Sequence, residues 1–215
     1  MKSFGIERSP RRACLSRTAP LALLEFLLEN CGPACSGEAV DALLARFQAV
    51  TVHPGQPLLV PGEVCAFEAF VARGCLRVYF NAADGSEPVL YFAPEGWWVT
   101  DVQNFPTPQP ALIGIDAIER AQVMIIRTSD LAAALADMPS CARLREARAA
   151  QAVMMLQRRL YGSMHKRASD RYAEFLSVYP SLAARLPQYQ IAAYVGISPE
   201  FLCKLRKRSV QTAES

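Results

Sequence analysis

Histidine is scarce in this chain: His53 and His165 are the only two in 215 residues. One falls at a strand turn and the other at a helix end, which leaves little from which to build a catalytic base. No Ser/His/Asp or Cys/His constellation occurs, and no glycine-rich loop is placed to cradle phosphate. An enzyme is therefore not expected. No run of about 18 uncharged apolar residues is present, so no membrane-spanning helix is expected. The N-terminal stretch is basic and lacks an apolar core followed by a cleavage site, so no secretory signal is expected and a cytoplasmic location is.

Cysteine is plentiful but unpatterned. The seven residues Cys14, Cys31, Cys35, Cys65, Cys75, Cys141 and Cys203 are odd in number and scattered, unlike a secreted disulfide framework. Cys31-x3-Cys35 with Cys14 upstream is the one arrangement open to a metal or iron–sulfur centre. No Cys-x2-Cys occurs and no histidine lies near, so ordinary reduced thiols are expected and a metal is not.

The composition is that of a globular protein, 52% hydrophobic and 20% charged, long enough for one or two domains. Net charge is only +3, too small to imply a polyanionic partner. Its distribution is more telling, because basic residues concentrate between Arg158 and Arg171 and again between Lys204 and Arg208.

Residues 1–18 are basic and aperiodic and are expected to be a mobile extension. Pro20 opens a helix through Leu21, Leu23, Leu24, Phe26, Leu27 and Leu28, and 36–47 suits a second. The texture then changes. Short β-like runs at 49–53, 57–60, 65–71, 75–80, 88–92, 112–118 and 121–127 are separated by Pro-Gly, Arg-Gly and Asp-Gly turns, the mark of a small antiparallel barrel or jelly roll. Ser129-Asp130 can cap a short helix. A long helix follows from Cys141 to about His165, with Ala149, Val153, Leu156, Leu160 and Met164 on one face. A monomeric core or a second copy of the chain could bury that face. The next helix opens near Lys166, with Tyr172, Phe175 and Leu176 expected inward, and ends at Tyr179-Pro180.

The C-terminal stretch Gln188–Lys207 reads as helix, tight turn, helix. Ile191, Ala192, Tyr194 and Val195 give the first segment an apolar face. Gly196 can take the positive φ that ends it. Ile197 is an apolar plug, Ser198 an N-cap, and Pro199 sits at the first helical position. Phe201, Leu202 and Leu205 are expected to face inward. That is the layout of a helix-turn-helix, whose second helix enters the DNA major groove.

A resemblance now becomes specific. Gly55-x6-Gly62-Glu63, Phe70-Val71 and Gly74 leading into Leu76-Arg77-Val78-Tyr79, Asp84-Gly85-Ser86-Glu87 and Pro94-Glu95-Gly96 are similar to the glycine skeleton of cyclic-nucleotide-binding domains. With the long helix and the helix-turn-helix, the order resembles the CRP/FNR superfamily of bacterial transcription regulators over roughly residues 38–208. The expected fold class is α+β: an N-terminal antiparallel β-roll (jelly roll, cyclic-nucleotide-binding-like) over 19–137, a long dimerisation helix over 138–165, and a helical helix-turn-helix domain over 166–215 with little or no wing.

The resemblance implies a homodimer on palindromic double-stranded DNA. Activation would add RNA polymerase as a partner, through a surface with no readable signature. By position, Ser198, Gln188 and Tyr189 are phosphate contacts, Glu200 accepts from a cytosine amino group, and Lys204 donates toward guanine. Arg206, Lys207 and Arg208 add sequence-independent affinity. Pro199 stands where many relatives carry a polar reader. The cyclic-nucleotide residues do not carry over. No Gly-Glu pair follows Gly96, no Arg or Lys lies between Gly96 and Ala111, and Pro106, Pro108 and Pro110 interrupt the segment. Binding of cyclic AMP or cyclic GMP is not expected. Trp97, Trp98 and Phe105, with Asp101, are candidates for a different effector pocket, or pack the roll against the long helix. A second reading stays open: a non-DNA-binding sensor or interaction module with a degenerate helix-turn-helix and an unknown small ligand.

Overall fold

The computed structural model describes residues 18–31, 37–104, 109–137 and 142–213. The basic extension before Thr18, and Cys14, Cys35, Phe105, Pro106, Pro108 and Cys141, lie outside the described residues.

Two helices come first, α1 (Thr18–Cys31) and α2 (Gly37–Leu44), followed by strands β1 (Gln48–Val52), β2 (Pro57–Leu59), β3 (Phe67–Arg73), β4 (Leu76–Phe80), β5 (Val89–Ala93), β6 (Trp98–Val99), β7 (Ile113–Ala117) and β8 (Ala121–Arg127). They pair antiparallel into two four-stranded sheets, ordered β1-β8-β3-β6 and β2-β7-β4-β5. Alternation along the strands sends one set of side chains between the sheets. Val52, Leu59, Ala69, Val71, Leu76, Val78, Ile115 and Val123 meet there in a sealed core. The other set faces outward, and on both sheets it is covered by helices. Phe70, Met124 and Ile126 pack under α1, α2 and α3 (Thr128–Asp137). Cys75, Val89 and Phe92 pack under the C-terminal helices. Double coverage explains why β3 is a nearly continuous apolar run, buried from Phe67 through Val71.

Gly74 makes the turn between β3 and β4 at φ +88, a left-handed conformation. A Cβ added there would lie 2.7 Å from the Arg120 carbonyl oxygen and 2.8 Å from the Ala121 Cα, both backbone atoms that cannot swing aside. Gly74→Ala is accordingly expected to cost about 2 kcal/mol. Urea unfolding checks this, and an unchanged midpoint would contradict it.

The long helix α4 (Ala142–His165) spans 24 residues, about 36 Å. Arg148 ties it to the roll: its guanidinium is hydrogen-bonded to the buried carboxylate of Glu68 and lies 4.0 Å over the Trp98 ring. α5 (Ala168–Val178), α6 (Gln188–Val195) and α7 (Pro199–Ala213) complete the chain. Tyr172 and Phe175 point inward from α5 as expected, but Leu176 does not: it is 37% exposed. The reason is helical phase. Tyr172, Phe175 and Tyr179 already occupy the buried side at spacings of three and four, and Leu176 falls beyond its edge.

Candidate nucleic-acid interface

The turn between α6 and α7 is built from the groups that the sequence assigns to it. Gly196 adopts φ 75, ψ 47, the left-handed cap. Its N–H and that of Ile197 both donate to the Ala192 carbonyl, at 2.8 and 3.1 Å, closing the end of α6. The Ser198 hydroxyl accepts from the Phe201 N–H at 3.2 Å, which is N-cap geometry. Pro199 begins α7 where no backbone donor is needed.

Leu202 anchors α7 with no exposure, and Leu205 is half-buried beside it. Phe201 departs from the expectation: it is 43% exposed. With Leu202 and Leu205 defining the inward line, residue 201 sits 100° away, on the open shoulder of the helix. Ser198, Glu200, Phe201, Cys203, Lys204, Arg206 and Lys207 therefore form one exposed surface. Glu200 and Lys204 are one turn apart. The Ser198 hydroxyl, followed by the helix backbone and Lys204, holds the Glu200 carboxyl below its usual range. Gln188 and Tyr189 are exposed at the start of α6. The side chain of Arg208 lies outside the described residues.

The helical unit is clamped to the roll. Phe92 of β5 meets Phe175, Tyr179 and Tyr194 with ring centroids 6.1, 6.0 and 5.4 Å away. Two ionic clusters flank this aromatic seam. Arg77 of β4 makes a two-pronged contact with Asp116 of β7, at 2.7 and 2.8 Å, and reaches Glu87 at 2.6 Å. It also donates to Gln190 of α6 at 3.4 Å. Arg185, between α5 and α6, is held by Glu95 at 2.9 Å and by Glu119. Glu95 in turn accepts from the Gly74 N–H at 2.8 Å. Arg77 and Gln190 lie 113 residues apart, and no local pattern in the sequence links them. The signal that the sequence holds is a polar Gln190 beside the apolar run Ile191–Val195.

Trp97 and Trp98 do not share one site. Trp98 packs outward with Phe26, Phe47 and Phe70, at centroid distances of 6.0, 6.0 and 5.4 Å, fixing α1 to the roll. Trp97 faces the opposite way, 6.0 Å from the Tyr179 ring. Asp101 is 4% exposed, and its carboxylate accepts from the Gln103 N–H at 3.1 Å, ordering the turn at Val102–Asn104. Burial pushes the Cys75 thiol up to about 12, so at neutral pH it is a packed apolar group and not a thiolate. Among the described residues no cluster of three or more His, Cys, Asp or Glu is arranged to hold a metal, and no helix is long and apolar enough to cross a membrane.

No protein-family model matches the sequence, and no curated protein matches it significantly. Solved structures do. The c-di-GMP-responsive global regulator CLP of Xanthomonas campestris is 16% identical with TM-score 0.68, over 83% of this chain and 93% of that one. CooA of Carboxydothermus hydrogenoformans is 16% identical with TM-score 0.65, over 92% and 87%. A transcriptional regulator assigned to the CRP/FNR family from Eubacterium rectale is 17% identical with TM-score 0.64, over 85% and 88%. The chain thus has the fold of CRP/FNR-type regulators over most of its length, as the glycine skeleton and the helix-turn-helix imply.

Proposed function

We propose that this chain is a sequence-specific DNA-binding transcription regulator that acts as a homodimer, and that its roll senses something other than a cyclic nucleotide. The observation that carries this reading is the fully capped turn before α7, which leaves Glu200, Phe201, Lys204, Arg206 and Lys207 exposed on one helix. Glu200 suits a cytosine amino group and Lys204 a guanine edge, while the Phe201 ring suits a thymine methyl. Arg206 and Lys207, with Arg208, supply salt-sensitive phosphate attraction. The degenerate-module alternative is less well supported, because the caps and the apolar anchor of the motif are intact.

Selection from a randomised duplex pool tests the regulator reading. A palindrome with half-sites about one helical turn apart is the expected outcome. Glu200→Ala should relax the preference at one position in each half-site, at a cost of about 1–3 kcal/mol. Recovery of no site at low salt would contradict the reading.

The dimer rests on α4. Val153, Leu156, Leu160 and Met164 share one face yet are 53, 47, 61 and 67% exposed, an apolar stripe that none of the described residues covers. Pairing with the same helix of a second copy would bury it and set the two α7 helices about a two-fold axis. Leu160→Asp is expected to give monomers in sedimentation while leaving the fold intact. A monomeric unsubstituted chain would remove the dimer from the proposal.

Support for the absence of cyclic-nucleotide binding comes from the segment after Gly96, which offers no cation to a phosphate. Arg148 of α4 is already engaged by Glu68 and Trp98.

A further inference from the structure

A cavity of about 180 Å³ lies where the roll, α4, α5 and α6 meet. Its lining is unbalanced in charge. Arg158, Arg159 and Arg171 face one carboxylate, Glu174. That carboxylate is already shared: Lys166 Nζ lies 3.0 Å from it and Arg158 Nε 3.8 Å. Arg159 pairs with no carboxylate among the described residues. One of its nitrogens donates to the Val89 carbonyl at 3.1 Å, and its guanidinium lies 4.3 Å over the Tyr194 ring. Arg171 spends its donors on the carbonyls of Val195 and Lys166, both at 2.8 Å. A part-buried guanidinium without an anion is costly, and the cost is relieved by an anionic guest.

The rest of the wall is apolar and aromatic, with Trp97, Met155 and Val178 prominent. Tyr179, 2% exposed, closes the wall beside Tyr194. Size narrows the guest further. Drug-sized ligands fill about 300–1,000 Å³, whereas about 150 Å³ suffices for one benzene ring. The cavity therefore has room for one ring and a small charged group.

We propose that this cavity binds a single-ring aromatic carboxylate, with the carboxylate between Arg158 and Arg159 and the ring against Trp97 and Met155. Such a guest would touch the roll, the long helix and the DNA-binding unit at once, so its affinity would depend on how they are disposed. As an effector site this rests on the regulator reading; as a ligand site it stands without it.

Calorimetry on the full chain with benzoate as probe tests the site. Benzyl alcohol and acetate, at matched ionic strength, serve as the uncharged ring and the ringless anion. Benzoate should bind one per chain and quench tryptophan emission, with both controls at least about tenfold weaker. Arg158→Gln, a change at a largely exposed side chain, should weaken benzoate about tenfold with thermal unfolding unchanged. Arg159→Lys keeps the charge and loses the planar fork, and should weaken it less. Equal binding of benzoate and benzyl alcohol, no binding at millimolar benzoate, or an unchanged affinity in Arg158→Gln would each overturn the site. Because the ligand is read without DNA, the two claims fail separately: lost DNA affinity would sink the regulator reading alone, and lost benzoate binding the site alone.

Discussion

Arg77→Met is expected to destabilise the folded chain by about 3–5 kcal/mol. Among the described residues Arg77 is the one cation paired with Asp116 and Glu87, and it also donates to Gln190; its side chain and that of Asp116 are only 12 and 11% exposed. Burial alone would pull the guanidinium pKa down, yet the Asp116 and Glu87 contacts outweigh it and hold it above the ordinary value. Removing the cation leaves the buried Asp116 carboxylate, and the more exposed Glu87 carboxylate near it, without their shared counter-charge. Methionine keeps most of the volume, so the loss reports charge and hydrogen bonding more than a cavity. Urea unfolding at neutral pH reads the loss. A loss under about 1 kcal/mol at neutral pH would show that the network is a rim contact of little weight.

Phe175→Ala should cost a similar amount, about 3–5 kcal/mol, by a different route. The Phe175 ring has no exposure and sits among Phe92, Tyr172, Tyr179 and Tyr194, with centroids 5.5–6.4 Å away. These rings come from both the roll and the helical unit. Their neighbours include backbone held in strands and helices on each side, so the space cannot collapse cheaply. The variant should therefore lose the fixed placement of the helix-turn-helix on the roll along with stability. Near-ultraviolet circular dichroism reads the aromatic packing, and unfolding reads the stability. A near-native spectrum with an unfolding loss under about 1 kcal/mol would contradict the view that this seam is a true core.

The strands were legible because their punctuation is local. Gly55, Gly74, Gly85 and Gly96 all take positive φ at reversals, and no long-range information is needed to place them. The capped turn at Gly196 and Ser198 was legible for the same reason. β6 was not foreseen: at two residues, Trp98 and Val99, it is too short for periodicity to register. Phe201 and Leu176 were expected inside because they are apolar. Exposure depends on which neighbouring positions reach a partner first, and that is a tertiary fact. The same limit hid Arg77 and Gln190, 113 residues apart in sequence and joined by one contact. Trp97 and Trp98 are neighbours in sequence yet face opposite ways, because successive side chains of extended backbone alternate.

The most direct test of DNA recognition through α7 is the salt dependence of binding to a fluorescently labelled duplex carrying the selected palindrome. For the unsubstituted chain, log affinity should fall linearly with log salt concentration, and Lys207→Ala should weaken binding across sequences while reducing that slope by about one per half-site. An affinity indifferent to salt, or a slope unchanged by the substitution, would contradict the placement of this basic helix against DNA.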